Sequence, residues 1–190
     1  MSREAGSFHG SGWRENLGQH FVGRRSSQAR HDVSGRFELY QRIATRYGER
    51  LDHQASGNSG LMYLFPTAKK LSRARFNDIG LVGSRAATLR RVASACVRGE
   101  LQFDTAQDPQ EFCTTLKSIR GIGDWTAQYV AMRALKDPDA FPASDLGLIK
   151  ALKYPEKVTP TELSRHAERW RPWRAYAALL LWNSLPGSGG

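Results

Sequence analysis

Apolar side chains first recur at helical spacing in the segment that begins at Arg36. The repeating positions are Phe37, Tyr40, Ile43, Ala44 and Tyr47. This interval of three to four residues predicts a helix with one buried face, and Gly48 is a typical stop. Residues 1–35 are rich in Gly, Ser, Arg and His, and their apolar side chains have no convincing period. We therefore expect weak structure over residues 1–35 and a folded domain over residues 36–190.

Helical patterns continue to the end of the chain as a series of short segments. They are predicted at 67–73, 75–79, 84–98, 109–119, 124–135, 146–153, 160–170 and 173–184. Two of the starts carry capping signals, in the sequences DPQE at 108–111 and TPTE at 159–162. No alternating strand pattern competes with this series, so the predicted class is all-α. Brief helices joined by tight turns favour compact packing of many helices over a long up-and-down bundle.

Composition permits a buried core and indicates a polyanionic partner. The 190 residues are 40% apolar and 10% aromatic, which is enough for one globular domain. The formal net charge is +10 and the sequence pI is about 10.1, so nucleic acid is the first candidate partner. From charge alone, a well-solvated basic surface without such a partner is an equal alternative.

Hydropathy and cysteine content limit the other classes. No apolar run approaches the ~20 residues of a membrane helix, and the first ten residues, MSREAGSFHG, lack the apolar stretch of a secretory signal. We expect a cytoplasmic protein that does not bind membranes. Cys96 and Cys113 are too few for a four-cysteine zinc or iron–sulfur site. Both are expected to be buried thiols, and neither a metal nor another cofactor is expected.

Residues 116–126 read LKSIRGIGDWT, with two glycines between two helical runs. If Gly121 and Gly123 form a tight turn, the backbone N–H groups that follow point outward at the positive end of the next helix. Such a nest suits a phosphate oxygen. Lys117 and Arg120 lie beside the turn, and Asp124 can cap the next helix. The alternative is a structural helix–turn–helix without a ligand.

This stretch resembles the helix-hairpin-helix of base-excision DNA glycosylases. The likeness runs from Leu116 to Arg133 and includes residues 141–148, FPASDLGL, which are similar to the loop that ends in the catalytic aspartate of that family. It is greatest for the 3-methyladenine DNA glycosylase II type and covers about residues 41–185. The resemblance implies a compact helix-hairpin-helix glycosylase core. It also implies a DNA-binding hairpin that contains Lys117, Arg120, Gly121, Ile122, Gly123 and Thr126.

Asp145 is the candidate catalytic residue. It directly precedes an apolar segment that begins at Leu146, where it can simply cap a helix. The resemblance implies catalysis instead, because a fixed carboxylate stabilises the oxocarbenium-like charge that develops when an N-glycosidic bond breaks. It would also orient or deprotonate the attacking water. One residue can do both jobs.

Aromatic side chains are the candidate base pocket. Trp125, Tyr129 and Met132 lie at i, i+4 and i+7 on one helix face, a stripe that is usually core. The resemblance places Trp125, Tyr129 and, further along the chain, Trp182 on positions that stack against a base flipped out of the duplex. Electron-rich rings attract cationic alkylated purines by roughly 0.5–2 kcal/mol. The resemblance therefore implies broad specificity for alkylated bases.

Trp125 also bears on the type of reaction. In relatives that cut the strand, a nucleophilic lysine occupies the position two residues after the second hairpin glycine and forms a Schiff base with the sugar. Here that position is Trp125, so water is the expected nucleophile. The relatives with an iron–sulfur cluster need four cysteines near the C-terminus, and no cysteine follows Cys113 in this chain.

Three functions remain in competition. The first is a monofunctional DNA N-glycosylase that removes alkylated purines of the 3-methyladenine type in base-excision repair. Its partner would be double-stranded DNA with alkylated bases, and it would act as a monomer. The second is a helix-hairpin-helix protein that binds DNA without catalysis, as a degenerate or truncated glycosylase. The third is a strand-cutting glycosylase for oxidised purines, which Trp125 argues against.

The N-terminal segment departs from the family pattern. Relatives carry a Leu-Gly-Gln-Gln-like helix and loop, from which one residue wedges into the gap left by the flipped base. Here Leu17-Gly18-Gln19 is followed by residues that do not continue the pattern, and the likeness resumes near Gln41. One hypothesis is that residues 20–40 are read in a shifted frame or otherwise altered relative to the family, which the alternative frames of the gene would test. This departure leaves the wedge, and with it the level of activity, open.

Overall fold

The computed structural model describes residues 33–51, 62–152 and 158–185 of the chain. Residues 1–32 lie outside this part, and with them most of the segment expected to be weakly structured and the Leu17-Gly18-Gln19 stretch. The chain divides into two compact units. The described residues of the first unit are 33–51 and 62–103, and those of the second are 104–152 and 158–185. The single domain expected over residues 36–190 stays a prediction.

In its described residues the first unit has three α-helices, a two-stranded ribbon and a 3-10 turn. These elements are α1 (Val33–Tyr47), β1 (Glu49–Arg50), β2 (Tyr63–Leu64), α2 (Ala68–Ser72), the 3-10 turn (Phe76–Ile79) and α3 (Gly83–Val97). Helix α1 begins three residues earlier than predicted. The strands pair antiparallel, Glu49 with Leu64 and Arg50 with Tyr63. The sequence did not predict them, because two residues are too few to show an alternating pattern.

The core of the first unit lies where α1, α2, α3 and the 3-10 turn meet. Its members include Ile43, Leu71, Phe76, Ile79 and Ala93. Side-chain hydrogen bonds join α1 to the turn: the Arg42 guanidinium donates to the Ile79 carbonyl at 3.0 Å, and the Tyr47 hydroxyl donates to the Asp78 carboxylate at 2.6 Å. Hydrophobic burial and these bonds together fix the turn against the helix.

Gly48 ends α1, as the sequence predicted, and the structure adds a steric reason. A Cβ at this position would lie 2.3 Å from the Leu64 carbonyl oxygen of β2 and 2.2 Å from the Ala44 carbonyl oxygen. Because real side chains do not approach so closely, only glycine lets the ribbon start directly after the helix.

The second unit has five α-helices in its described residues. They are α4 (Pro109–Ser118), α5 (Asp124–Val130), α6 (Leu146–Ala151), α7 (Pro160–Ala167) and α8 (Arg174–Asn183). Helix α5 continues as a π-helical segment, Ala131–Leu135, and α7 continues as a 3-10 turn, Glu168–Trp170. The predicted helices at 124–135 and 160–170 thus each change helix type part-way, and the one predicted at 146–153 ends at Ala151.

The two predicted capping signals are present in the second unit. The Asp108 carboxylate accepts a hydrogen bond from the Gln110 backbone N–H at 2.7 Å, with Pro109 at the first helical position of α4. Thr159 and Glu162 form a reciprocal capping box at the start of α7. These local bonds satisfy backbone donors that have no partner within the helix.

The core of the second unit places α5, α6 and α8 around the candidate site. Phe112 and Leu116 of α4 are buried, as is Ala127 of α5. Helix α6 packs against α8, with Leu148 and Ala178 fully buried. Since Asp145 immediately precedes α6 and Trp182 lies near the end of α8, this packing brings the two residues into the same place.

The two cysteines are free thiols on different units. Cys113 is buried and Cys96 is half-buried. Burial raises the pKa of the Cys96 thiol to about 12, and burial also raises the pKa of the Cys113 thiol, because a low-dielectric environment disfavours the thiolate. No helix in the three described stretches is long and apolar enough to cross a membrane.

Candidate active site

The hairpin between α4 and α5 uses its two glycines differently. Gly121 has a φ of 102°, in the left-handed region that other residues rarely adopt. The Ile122 N–H closes the turn by donating to the Ile119 carbonyl at 3.0 Å. Gly123 has an extended backbone, and a Cβ there would meet nothing within 4 Å. Gly121 therefore makes the turn possible, whereas Gly123 leaves its outer side open to the approach of another molecule.

Charged side chains flank this turn. Lys117 Nζ lies 3.1 Å from the Asp124 carboxylate, and both side chains are about half exposed. Asp124 is the first residue of α5, and Gly123 occupies the capping position without a side-chain bond, so the expected cap by Asp124 is wrong. Its carboxylate instead joins α5 to α4 through Lys117. Arg120 is exposed in the turn, while Ile122 and Thr126 are half-buried.

Asp145 caps α6 and also faces the aromatic residues. Its Oδ1 accepts from the Leu148 backbone N–H at 3.0 Å and from the Trp182 indole N–H at 2.9 Å. Its Oδ2 accepts from the Trp125 indole N–H at 2.7 Å. The cap is thus observed, and the same carboxylate also bonds to two of the candidate pocket residues, while its catalytic role stays a prediction. Three donors hold the half-buried carboxylate in a single orientation.

The aromatic side chains form a cluster around this carboxylate. Trp125 and Tyr129 are stacked, with ring centroids 5.3 Å apart and planes 9° apart. Tyr129 and Trp182 are tilted, with centroids 6.1 Å apart. Met132, the third residue of the predicted stripe, is only 7% exposed and belongs to the core. The helix therefore divides the stripe: Trp125, at 36% exposed, faces out, and Met132 faces in.

The loop before Asp145 is held by contacts that the sequence did not reveal. The Gln128 side chain, on α5, accepts a hydrogen bond from the buried Phe141 backbone N–H at 2.9 Å. Asp139 pairs with Arg174 of α8 at 2.8 Å and also with Arg171. Gln128 was a polar residue in an apolar stretch, which was its only signal in the sequence. Arg171 and Arg174 each lie more than 30 residues from Asp139 in the sequence, so no local pattern could pair them with it.

The arrangement supplies a carboxylate, electron-rich rings and an adjacent turn. Trp125 lies two residues after Gly123, and its indole N–H donates a hydrogen bond to Asp145. One side chain therefore connects the glycine turn to the carboxylate. A cation that entered beside the rings would meet both their π-faces and a negative charge. Across the described residues, no group of three or more His, Cys, Asp or Glu side chains is placed to hold a metal ion.

Curated relatives are similar to this chain in sequence, and solved structures are similar to it in fold. The chain is 37% identical over 148 residues to DNA-3-methyladenine glycosylase 2 of Escherichia coli, a match that covers 76% of this chain and 50% of that protein. It is 36% identical over 145 residues to the probable bifunctional transcriptional activator/DNA repair enzyme AlkA of Mycobacterium tuberculosis, covering 76% of this chain and 29% of that protein. The chain thus spans half or less of the length of these relatives.

The fold is also that of Clostridium acetobutylicum 8-oxoguanine glycosylase/lyase in its complex with double-stranded DNA. The TM-score is 0.67 at 20% identity, over 88% of this chain and 57% of the other. No protein-family model matches the chain. Fold, hairpin and sequence similarity together place the chain in the class of helix-hairpin-helix DNA glycosylases. Within that class, the chain belongs to the DNA-3-methyladenine glycosylase 2 (AlkA) family.

Proposed function

We propose that this chain is a monofunctional DNA N-glycosylase that hydrolyses the N-glycosidic bond of alkylated purines, of the 3-methyladenine type, in repair of DNA alkylation damage. The observation that carries the proposal is the Asp145 carboxylate, held between the indole N–H groups of Trp125 and Trp182 at 2.7 and 2.9 Å. The names of the curated relatives support the same activity.

Binding begins at the hairpin. Its exposed turn, with Gly123 open to solvent and Lys117 and Arg120 beside it, suits the sugar–phosphate backbone, which is gripped without reading the base sequence. The net charge of +10 supports a polyanionic partner, and the structurally similar 8-oxoguanine glycosylase/lyase is bound to double-stranded DNA. We take double-stranded DNA with alkylated bases as the substrate and the monomer as the acting form.

The damaged base then leaves the stack and enters the aromatic cluster. Extrusion costs a few kcal/mol, and stacking against Trp125, Tyr129 and Trp182 replaces part of the lost base stacking. A cationic alkylated purine gains a further 0.5–2 kcal/mol or so from electron-rich rings. Such a pocket selects positive charge rather than one hydrogen-bond pattern, so several alkylated purines are substrates.

Bond cleavage follows in the field of Asp145. The bond between C1′ of the sugar and the base nitrogen breaks, and its electron pair leaves with the cationic base, which departs neutral. Positive charge develops on the sugar, and the fixed carboxylate stabilises it without having to reorient. Water forms the new bond to C1′ and loses a proton to Asp145 or to solvent. The products are the free base and an abasic site.

Water is the nucleophile because the position of the Schiff-base lysine is occupied by Trp125. An indole nitrogen cannot attack the sugar, because its lone pair belongs to the aromatic ring, and here its N–H donates a hydrogen bond to Asp145. The nearby Lys117 is paired with Asp124. Borohydride treatment during turnover is therefore expected to trap no protein–DNA adduct, and a trapped adduct would favour the strand-cutting alternative.

The decisive experiment measures base release from methylated duplex DNA, followed by alkali to cut abasic sites. Native protein should release bases, and Asp145→Asn should not, because the amide has no charge and its NH₂ faces an indole donor. Asp108→Asn is the matched control, since it makes the same change at another helix cap and asparagine caps equally well. Equal release by native protein and Asp145→Asn would remove Asp145 from its role. DNA binding without release by the native chain would favour the binding module.

A further inference from the structure

Gly147 lies in the first turn of α6 and is crowded by two residues of the candidate site. A Cβ at this position would lie 2.9 Å from Asp145 Oδ1, 3.2 Å from Trp182 Cδ1 and 3.3 Å from Trp182 Nε1. The first distance is shorter than real Cβ contacts, and the other two are tighter than most. The Trp182 ring and the Asp145 carboxylate therefore occupy the space that any other residue would need.

Backbone conformation does not explain the glycine. Gly147 is absent from the positive-φ glycines of the described chain, which are Gly80, Gly83, Gly99 and Gly121, so its backbone suits any residue. Within a helix, glycine is the poorer choice, because alanine loses less conformational entropy on folding. The space around Gly147 is filled by site side chains, whereas a Cβ at Gly83, Gly99 or Gly123 would meet nothing within 4 Å.

We propose that Gly147 is a positioning residue: its missing side chain lets the Trp182 indole lie against the first turn of α6 and donate to Asp145. Trp182 lies 35 residues further along the chain, on α8. The contact therefore depends on the distance between α6 and α8. Asp145 Oδ1 already accepts from Leu148 and Trp182. It cannot retreat from a Cβ without losing one of these bonds. Gly147 thus fixes both the direction of the carboxylate and the place of one pocket ring. This role rests on the proposed function of the site.

Gly147→Ala is the test, with three measurements. Single-turnover base release should fall about ten- to a hundredfold, since small displacements of reacting groups have effects of this size. Affinity for abasic-site DNA should change less than about twofold, because the hairpin is untouched. The midpoint of thermal unfolding should not fall in proportion to the loss of base release, because alanine favours the helix. Leu146→Ala is the control, since Leu146 is the neighbouring residue of α6 and is 71% exposed.

A double-mutant cycle isolates the contact. Phenylalanine at position 182 lacks the indole N–H and the five-membered ring whose atoms lie next to Gly147. In the Trp182→Phe background, Gly147→Ala should therefore reduce base release much less than in the native background. Equal losses in both backgrounds would overturn the proposal. If Gly147→Ala alone fails to fold, recovery of folding by Trp182→Phe supports the proposal, and failure to recover overturns it.

A spectroscopic measurement separates this proposal from the proposed function. The indole N–H resonances of Trp125 and Trp182 can be assigned from the Trp→Phe variants. Gly147→Ala should shift the Trp182 indole resonance, and Leu146→Ala should leave it in place. An unmoved Trp182 resonance would refute the role of Gly147 even if the protein is an active glycosylase. If the Trp182 resonance shifts in Gly147→Ala but the native protein releases no base, the result would refute the proposed function and leave the role of Gly147 standing.

Discussion

Gln128→Met gives a quantitative test of how the loop before Asp145 is held. Methionine has nearly the same length as glutamine but cannot accept the hydrogen bond that the Phe141 N–H donates to Gln128 Oε1 at 2.9 Å. Phe141 is only 5% exposed, so water cannot readily replace the lost acceptor. An unsatisfied buried donor costs about 1–3 kcal/mol, and we expect about 2 kcal/mol from the middle of this range.

This loss should be visible in both stability and activity. For a chain of this size, about 2 kcal/mol lowers the thermal midpoint by roughly 4–8 °C. Residues 141–145 lead directly to Asp145, the carboxylate to which the proposed function assigns catalysis, so a loosened loop should also slow single-turnover base release, by about tenfold or more. Denaturant unfolding followed by fluorescence gives the free energy, and alkali cleavage of methylated duplex gives the rate.

Gln110→Met is the matched control for this experiment. Gln110 is an exposed residue of α4, and its backbone N–H, not its side chain, is bonded to Asp108. The same chemical change there should alter stability by no more than about 0.5 kcal/mol. If Gln128→Met and Gln110→Met unfold at the same denaturant concentration, the Phe141 hydrogen bond does not anchor the loop and the reasoning fails.

Three further predictions concern the hairpin and α7. Gly121→Ala should destabilise the protein by on the order of 1–2 kcal/mol and weaken binding to abasic-site DNA, because φ is 102° there; Gly123→Ala should cause no such strain, and equal unfolding midpoints for the two variants would contradict this. Arg120→Ala should reduce the slope of log K against log salt by about 1 while leaving base preference unchanged, and an unchanged slope would exclude a phosphate contact. Thr159→Ala should lower the unfolding midpoint without affecting base release. Backbone and hydroxyl hydrogen bonds from Thr159 hold the pKa of the Glu162 carboxyl below its ordinary value of 4.5. Thr159→Ala removes only the hydroxyl bonds, so the part of its effect that comes from the bond to the Glu162 carboxylate should be present above that pH and be lost as pH falls through the lower folded value. The part that comes from the cap on the Glu162 N–H should persist in acid, and a difference that does not shrink at all in acid would contradict this.

Local signals in the sequence were sufficient for several elements. Asp108 and Thr159 cap the helices that they were predicted to cap, because capping depends on residues two or three positions apart. Gly121 has the backbone conformation expected of a hairpin glycine. The all-α class is confirmed by the helical structure and its glycosylase-like fold, since periodic apolar positions specify helices wherever strand patterns are absent.

Other features depend on contacts that no local pattern contains. Met132 shares the spacing of Trp125 and Tyr129 yet lies in the core. Whether a residue of this stripe is buried or exposed depends on which other elements pack against its part of the helix. The π-helical segment at Ala131–Leu135 has the same apolar periodicity as an α-helix over so few residues. Gly147 looked like an ordinary glycine, since its crowding comes from Trp182, which only the packing of α8 brings near.

The two cysteine thiols determine how the protein itself reacts with alkylating agents. Agents that methylate purines are electrophiles, and in proteins they attack sulfur fastest when it is ionised. The raised pKa of Cys96, about 12, and that of Cys113 keep both sulfurs protonated at neutral pH, and Cys113 is shielded by the core as well. Methylation of Cys96 and Cys113 by such reagents should therefore be slower than methylation of an exposed cysteine of ordinary pKa.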